Sequence, residues 1–150
     1  MTKQNARPLP KAREAYRHFT VFATRWRDND QYGHMNNAVY YELFDSAVNK
    51  FLIDSGILAL ARGKTQFLVA SSGCDYFTDV AYPRDVDIGL AVRRIGKSSV
   101  TYDVGLFLAD ADITAATGVF VHVNVATDDQ RPLAIDAATR EKCAALMIED

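Results

Sequence analysis

The chain has 150 residues, 17 basic and 19 acidic, giving a formal net charge of -2 and a pI near 5.9. It has no dense Lys/Arg cluster, which argues against nucleic acid as a partner. With 49% hydrophobic and 24% charged residues, it is composed like a globular protein long enough to bury one core, so wholesale disorder is excluded.

Residues 1–16 carry Pro8, Pro10 and little apolar content, which predicts a flexible N-terminal arm before a single domain over 17–150. The arm has Lys3, Arg7, Lys11 and Arg13 against Glu14, a transit-peptide-like balance, but it lacks serine and the apolar core of a secretory signal. Residues 18–26 are aromatic and β-branched and predict a strand. Tyr40, Leu43, Phe44, Ala47, Val48 and Phe51 then recur at helical spacing, predicting a buried helix from about Asn37 to Ser55 with Gly56 as its stop. Asn36 or Asn37 suits its N-cap.

From Thr65 the pattern turns to β. Phe67 to Val80 reads as one run, Pro83–Asp85 as a turn, and Val86–Val92 alternates with period two. After a turn at Gly96–Ser98, strands are predicted over Val100–Leu108 and Ile113–Val125, with Val119, Val121, Val123 and Val125 on one face. Ile135–Met147 predicts a terminal helix. Short turns imply antiparallel pairing, and one sheet with one buried helix makes the class α+β. No apolar run approaches the roughly 18 residues of a membrane span. Cys74 and Cys143 lie far apart without a CxxC, as reduced thiols of a cytoplasmic protein would.

The chemistry-bearing stretch is Asp28-Asn29-Asp30-Gln31-Tyr32-Gly33-His34-Met35-Asn36-Asn37, where a strand hands over to the long helix. A helix start offers unpaired N–H groups and partial positive charge to an acyl oxygen or anion. The stretch begins like a calcium loop but has Tyr32 at the fifth position and Val39 at the twelfth, so calcium is rejected. His18, His34 and His122 have no paired spacing for zinc, and no metal is expected. No G-x-S-x-G or phosphate-loop glycine pattern is present. What remains is an aspartate near a helix N-terminus, able to act as base or nucleophile. The competing reading has Asp28 and Asp30 capping a turn and pairing with Arg25 or Arg27.

The string Asp28-x-Asp30-x-x-Gly33-His34-x-Asn36-Asn37-x-x-Tyr40, followed by Phe44, resembles the signature of hotdog-fold acyl-CoA thioesterases of the 4-hydroxybenzoyl-CoA thioesterase-like family. The likeness runs from about residue 18 to 140, through Tyr76–Pro83, Asp85–Val92, Gly96–Ser99 and Arg131-Pro132. It implies an antiparallel sheet wrapped around one long helix, with homodimers paired edge to edge, further association into homotetramers, and sites at the subunit interface. It implies Asp30 as the catalytic carboxylate, the Asn37 backbone N–H as the carbonyl donor, Gly33 and His34 in the catalytic loop, and Asp28 as a support. Lys97, Ser98 and Arg94 would contact the nucleotide end of coenzyme A, with Arg131 a weaker candidate. The substrate would be an acyl-CoA, no separate cofactor is needed, and neither nucleic acid nor membrane is a partner. Asp45 stands where the family often has glutamate and is assigned to the helix's polar face. The segment from Gly56 to Gln66 would shape the acyl pocket. A binding protein for acyl-CoA or acyl-carrier protein is the alternative, a non-catalytic scaffold a further one. A dehydratase site has no matching pattern here.

Overall fold

The structure is a computed structural model that describes residues 7–58 and 63–148. Strand β1 (His18–Phe22) leads through a short 3-10 turn to helix α1 (Asn37–Asp54), followed by β2 (Thr65–Tyr76), β3 (Val86–Ile95), β4 (Ser99–Leu108), β5 (Ala116–Ala126) and helix α2 (Ala137–Ala144). The five strands form one antiparallel sheet in the order β1-β3-β4-β5-β2. The two-layer arrangement is the one expected from the pattern, a sheet against one long helix.

Helix α1 forms where the stripe predicts. Asn36 is the N-cap, its side chain accepting the Ala38 N–H at 2.9 Å. At the other end Gly56 takes a φ of 78°, and the Ile57 N–H returns to the Leu52 carbonyl at 2.9 Å, a left-handed C-terminal stop. Tyr40, Phe44, Ala47, Val48, Phe51 and Leu52 are buried against the sheet, each large side chain contributing on the order of 1.5–3 kcal/mol. At β5 the helix meets the sheet through the Phe44 ring. A Cβ on Gly118 would lie 2.9 Å from the Phe44 ring and from the Gly73 carbonyl oxygen, so only glycine lets the helix seat there.

Several boundaries differ from the sequence pattern. The first strand ends at Phe22 instead of running to Trp26, because the Asp28 carboxylate draws the chain into a turn over Trp26–Asp28. The run after Phe67 stops at Tyr76, and Phe77 and Thr78 give their N–H groups to the Ala115 carbonyl outside the ladder. On β5 the valine face is not the helix face. Gly118, Phe120, His122 and Asn124 are the buried residues that alternate with half-buried Val119, Val121 and Val123. The strand β2 does not neighbour β3; it crosses to β5 and forms a sheet edge.

The outer face of the sheet carries the later part of the N-terminal segment. Tyr16 lies across Gly89 and Gly105, where a Cβ would run into its ring, and Arg13 pairs with Asp87 at 2.9 Å while stacking over Phe107. Residues 11–16 are therefore docked, not loose, and residues 1–6 lie outside the described part. Among the described residues no helix is long and apolar enough to cross a membrane, and no group of His, Cys, Asp and Glu could hold a metal ion. Both cysteines are free.

His122 is 2% exposed, and neither ring nitrogen has a hydrogen-bond partner. It lies between Tyr102 and Phe67, at ring distances of 5.4 and 6.0 Å. Burial lowers its pKa below the usual 6.5, only partly opposed by the Asp45 carboxylate. The folded chain thus keeps His122 neutral where the unfolded chain takes a proton. Its contribution is intact above pH 6.5 and is lost as pH falls through the window below that value. Urea unfolding between pH 7.5 and 5.5 should show a decline in stability that His122→Phe makes shallower. An equally steep decline in the variant would assign the acid sensitivity elsewhere.

Candidate active site

The loop before α1 is built by aspartates with different tasks. Asp28 is 3% exposed; its carboxylate accepts the Arg25 N–H at 2.8 Å and the Arg25 guanidinium at 2.9 Å, and its carbonyl accepts the Asn36 N–H at 2.8 Å. Such charge-assisted bonds fix a chain firmly. The expected supporting role of Asp28 is therefore physical, and the capping reading describes Asp28 well.

Asp30 closes the loop through its backbone, its N–H donating to the His34 carbonyl at 2.7 Å and its carbonyl accepting the Gly33 N–H at 3.1 Å. Its Oδ1 accepts the Tyr32 N–H at 2.8 Å. Oδ2 is the oxygen left over. Gly33 makes the return with a φ of 77°, and the Met35 N–H reaches the Val80 carbonyl at 2.6 Å to pin the loop to the crossover after β2. The Asn37 N–H lies in the first turn of α1, where the helix itself supplies no acceptor.

Asp30, His34 and Asn37 line one cavity of about 290 Å³, together with Tyr40, Tyr76 and Asp79. Met35, Phe77 and Thr78 complete its walls. The Tyr76 hydroxyl donates to the Asn37 carbonyl at 2.8 Å, and the Tyr76 ring meets Tyr40 edge-on at 4.8 Å. The His34 imidazole lies by Asp79, its Nε2 3.6 Å from the carboxylate, while its backbone bonds Asp30. Tyr76 and Asp79 reach the site from the end of β2 and the crossover after it. No local signal in the sequence marks Asp79, because it meets the motif only through the fold.

Residues 24–143 match the family described as the Thioesterase-like superfamily. The chain belongs to the thioesterase-like superfamily. This member is 47% identical to the PA5185 protein of Pseudomonas aeruginosa strain PAO1, whose crystal structure matches with a TM-score of 0.90 over 93% of this chain and 97% of that one. It also superposes on Slr0204, a 1,4-dihydroxy-2-naphthoyl-CoA thioesterase from Synechocystis, with a TM-score of 0.76 at 13% identity, covering 84% of this chain and 94% of that one. The sheet wrapped on one helix is thus the hotdog fold. Among curated proteins it is 24% identical over 94 residues to YsmA of Bacillus subtilis, and the match spans 63% of each chain, less than two thirds of YsmA's length.

Arg94, Lys97 and Ser98 are not brought to this cavity within one chain. They sit at the β3–β4 turn, where the Ser98 carbonyl accepts the Asn124 N–H and the Lys97 carbonyl accepts the Ile135 N–H. The cavity lies toward the other end of the sheet, about 20 Å from Arg94 and about 30 Å from Lys97 at strand rise per residue, since Tyr76 is level with Ile88 through β5 and β4. Arg131 also lies at the far end, just beyond β5. Asp45 is exposed, accepting the Asn49 side chain at 3.2 Å, as the polar-face assignment predicts.

A Cβ at Gly33 would meet nothing within 4 Å, so the demand there is conformational and not spatial. Gly33→Ala should cost about 1–2 kcal/mol from the left-handed backbone alone, with Gly33→Asn closer to the parent. Urea denaturation of the three proteins checks this, and equal costs for alanine and asparagine would place the constraint in packing instead.

Proposed function

We propose that this member of the thioesterase-like superfamily hydrolyses an acyl-CoA thioester to the free acid and CoA. The observation that carries the reading is that one cavity is lined both by Asp30, whose Oδ2 is left over, and by Asn37, the first residue of the helix. The Asn37 N–H binds the thioester carbonyl oxygen and stabilises the negative charge that grows on it. In the base route Asp30 takes a proton from water as the water oxygen bonds to the carbonyl carbon. Collapse of the tetrahedral adduct breaks the C–S bond, the electron pair leaves on sulfur, and the thiolate recovers the proton. In the nucleophile route Asp30 bonds to the carbon itself, the thiolate leaves, and water cleaves the resulting anhydride. Label from solvent water in the Asp30 carboxylate after a single turnover identifies the second route with water opening the anhydride at the Asp30 carbon. Asp28 cannot substitute for Asp30, since its oxygens are engaged by Arg25. Gly33 and His34 shape the loop, and His34 stands at the cavity mouth beside Asp79. CoA is part of the substrate, and no separate cofactor takes part.

The functional unit in this reading is a cytoplasmic homodimer. Strand β2 is a 12-residue edge, with Val69 and Tyr76 exposed along it, the kind of edge that invites a second strand. Two-fold pairing of β2 with its copy sets the Tyr76 end of one chain against the Thr65 end of the other. That brings the partner's β3–β4 turn toward the cavity, which is how Arg94, Lys97 and Ser98 would reach the CoA phosphates. Association of two such dimers gives the tetramer.

Free-thiol release should be measured on short, medium, long and aromatic acyl-CoAs, beside Asp30→Asn. The expected result is hydrolysis of at least one class, with turnover reduced by about two or more orders of magnitude in the variant. Unchanged activity in the variant would remove Asp30 from the mechanism. No hydrolysis by a folded dimer that still binds CoA would favour a binding protein.

A further inference from the structure

Tyr40 lies one turn into α1 and is 4% exposed, yet its hydroxyl hydrogen-bonds to no protein group among the described residues. The only sealed and unpaired side-chain atoms among those residues are the His122 nitrogens, so the Tyr40 hydroxyl is not sealed, and Tyr40 itself lines the Asp30 cavity. Tyrosine this deeply buried ordinarily finds a partner for its O–H. A buried hydroxyl with no protein hydrogen-bond partner, on a residue that lines an open cavity, is placed for a ligand.

The direction of the side chain says which part of a ligand. Helical side chains slant toward the N-terminus, so the Tyr40 ring leans over the turn that begins at Asn36 and Asn37. Tyr76 packs edge-on against that ring at 4.8 Å and an interplanar angle of 87°, and anchors itself on the Asn37 carbonyl. Tyr40 is thereby tied through Tyr76 to the first turn of the helix. Burial first, then the fields of Cys74, Asp79 and Asp30, push its pKa up to about 12. It stays a protonated donor at neutral pH and cannot serve as a base.

We infer that the Tyr40 hydroxyl is a second donor to the oxygen of the reacting carbonyl, completing with the Asn37 N–H a two-donor oxyanion site. The inference rests on the hydrolytic reading above and adds a catalytic residue to it. Two donors hold an oxyanion in direction as well as in charge, and removing one side-chain donor from such a site lowers turnover by about 10²–10³-fold. The ring of Tyr40 keeps its packing in Tyr40→Phe, so only the donor is lost.

The test compares the parent, Tyr40→Phe and Asp30→Asn on the best acyl-CoA of the panel and on an aryl thioester of the same acid. Tyr40→Phe should lower kcat about 10²-fold with little change in KM, in Tm or in the acid limb of the pH–rate profile. The loss should be equally large for the alkyl and aryl leaving groups, because the oxyanion is common to both. A loss that shrinks with the better leaving group would make the hydroxyl a proton donor to sulfur and overturn the inference. So would full activity of Tyr40→Phe beside an inactive Asp30→Asn, with the hydrolytic reading left standing. A fall in Tm that accompanies the loss would assign Tyr40 a packing role and also overturn it. Absence of hydrolysis by the parent on every substrate overturns the reading and the inference together.

Discussion

The contact on which the site depends is the seat of Phe44 on Gly118. The ring occupies the space of a missing Cβ on β5, and that contact fixes how close the helix lies to the sheet. Because α1 is rigid, its height at Phe44 also sets its height at Asn37, two turns earlier. The Met35 N–H on the Val80 carbonyl ties the loop before the helix to the crossover after β2. With these two attachments the helix start, the loop carboxylate and the end of β2 come together around one cavity.

Three carboxylates stand near that helix start, and their surroundings give them different work. Asp28 is buried and holds Arg25, so its charge is already committed to the fold. Asp79 is exposed at the rim and faces His34. Asp30 lies between these extremes: one oxygen is held by the Tyr32 N–H, which fixes the orientation of the other. A carboxylate oriented but not consumed is what a base or nucleophile requires. Proximity to the helix start alone does not choose among the three.

How much of the fold and the site is legible in the sequence follows from the range of each interaction. The helix and its stop at Gly56 are local and read from spacing and residue type, which also narrow its cap to Asn36 or Asn37. The Asp28–Asn37 loop is local too, so its aspartates, glycine and asparagines stand out in the sequence itself. The first strand reads too long because Thr24 to Trp26 have strand-like composition, while the Arg25–Asp28 clamp decides the backbone there. Placement of β2 at the edge beside β5 depends on a crossover that no pattern of turns records. Tyr76 and Asp79 join the site only through that crossover. The helix face of β5 is concealed for a related reason: the valines carry the visible alternation, but the close approach of Phe44 selects glycine, and the residues in step with it face inward.

The separation of the Asp30 cavity from the β3–β4 turn constrains the assembly as well as the site. One chain places a carboxylate and a helix-start N–H at one end of the sheet and Arg94 and Lys97 at the other. A substrate with a reactive thioester at one end and phosphates at the other is long, but a single subunit presents these groups at opposite ends of its own strands, with the helix layer lying along the path between them. An antiparallel partner strand at β2 would reverse one subunit relative to the other and turn that distance into proximity. The same edge that exposes unpaired backbone in an isolated chain is thus the element whose pairing would bring the two functional ends together. The strand β1 edge offers no such route, since it lies across the sheet from Tyr76, and the C-terminal segment bridges to β3 just beyond it at Val92. Under the proposed function, pairing at β2 would satisfy the strand edge and the site at once.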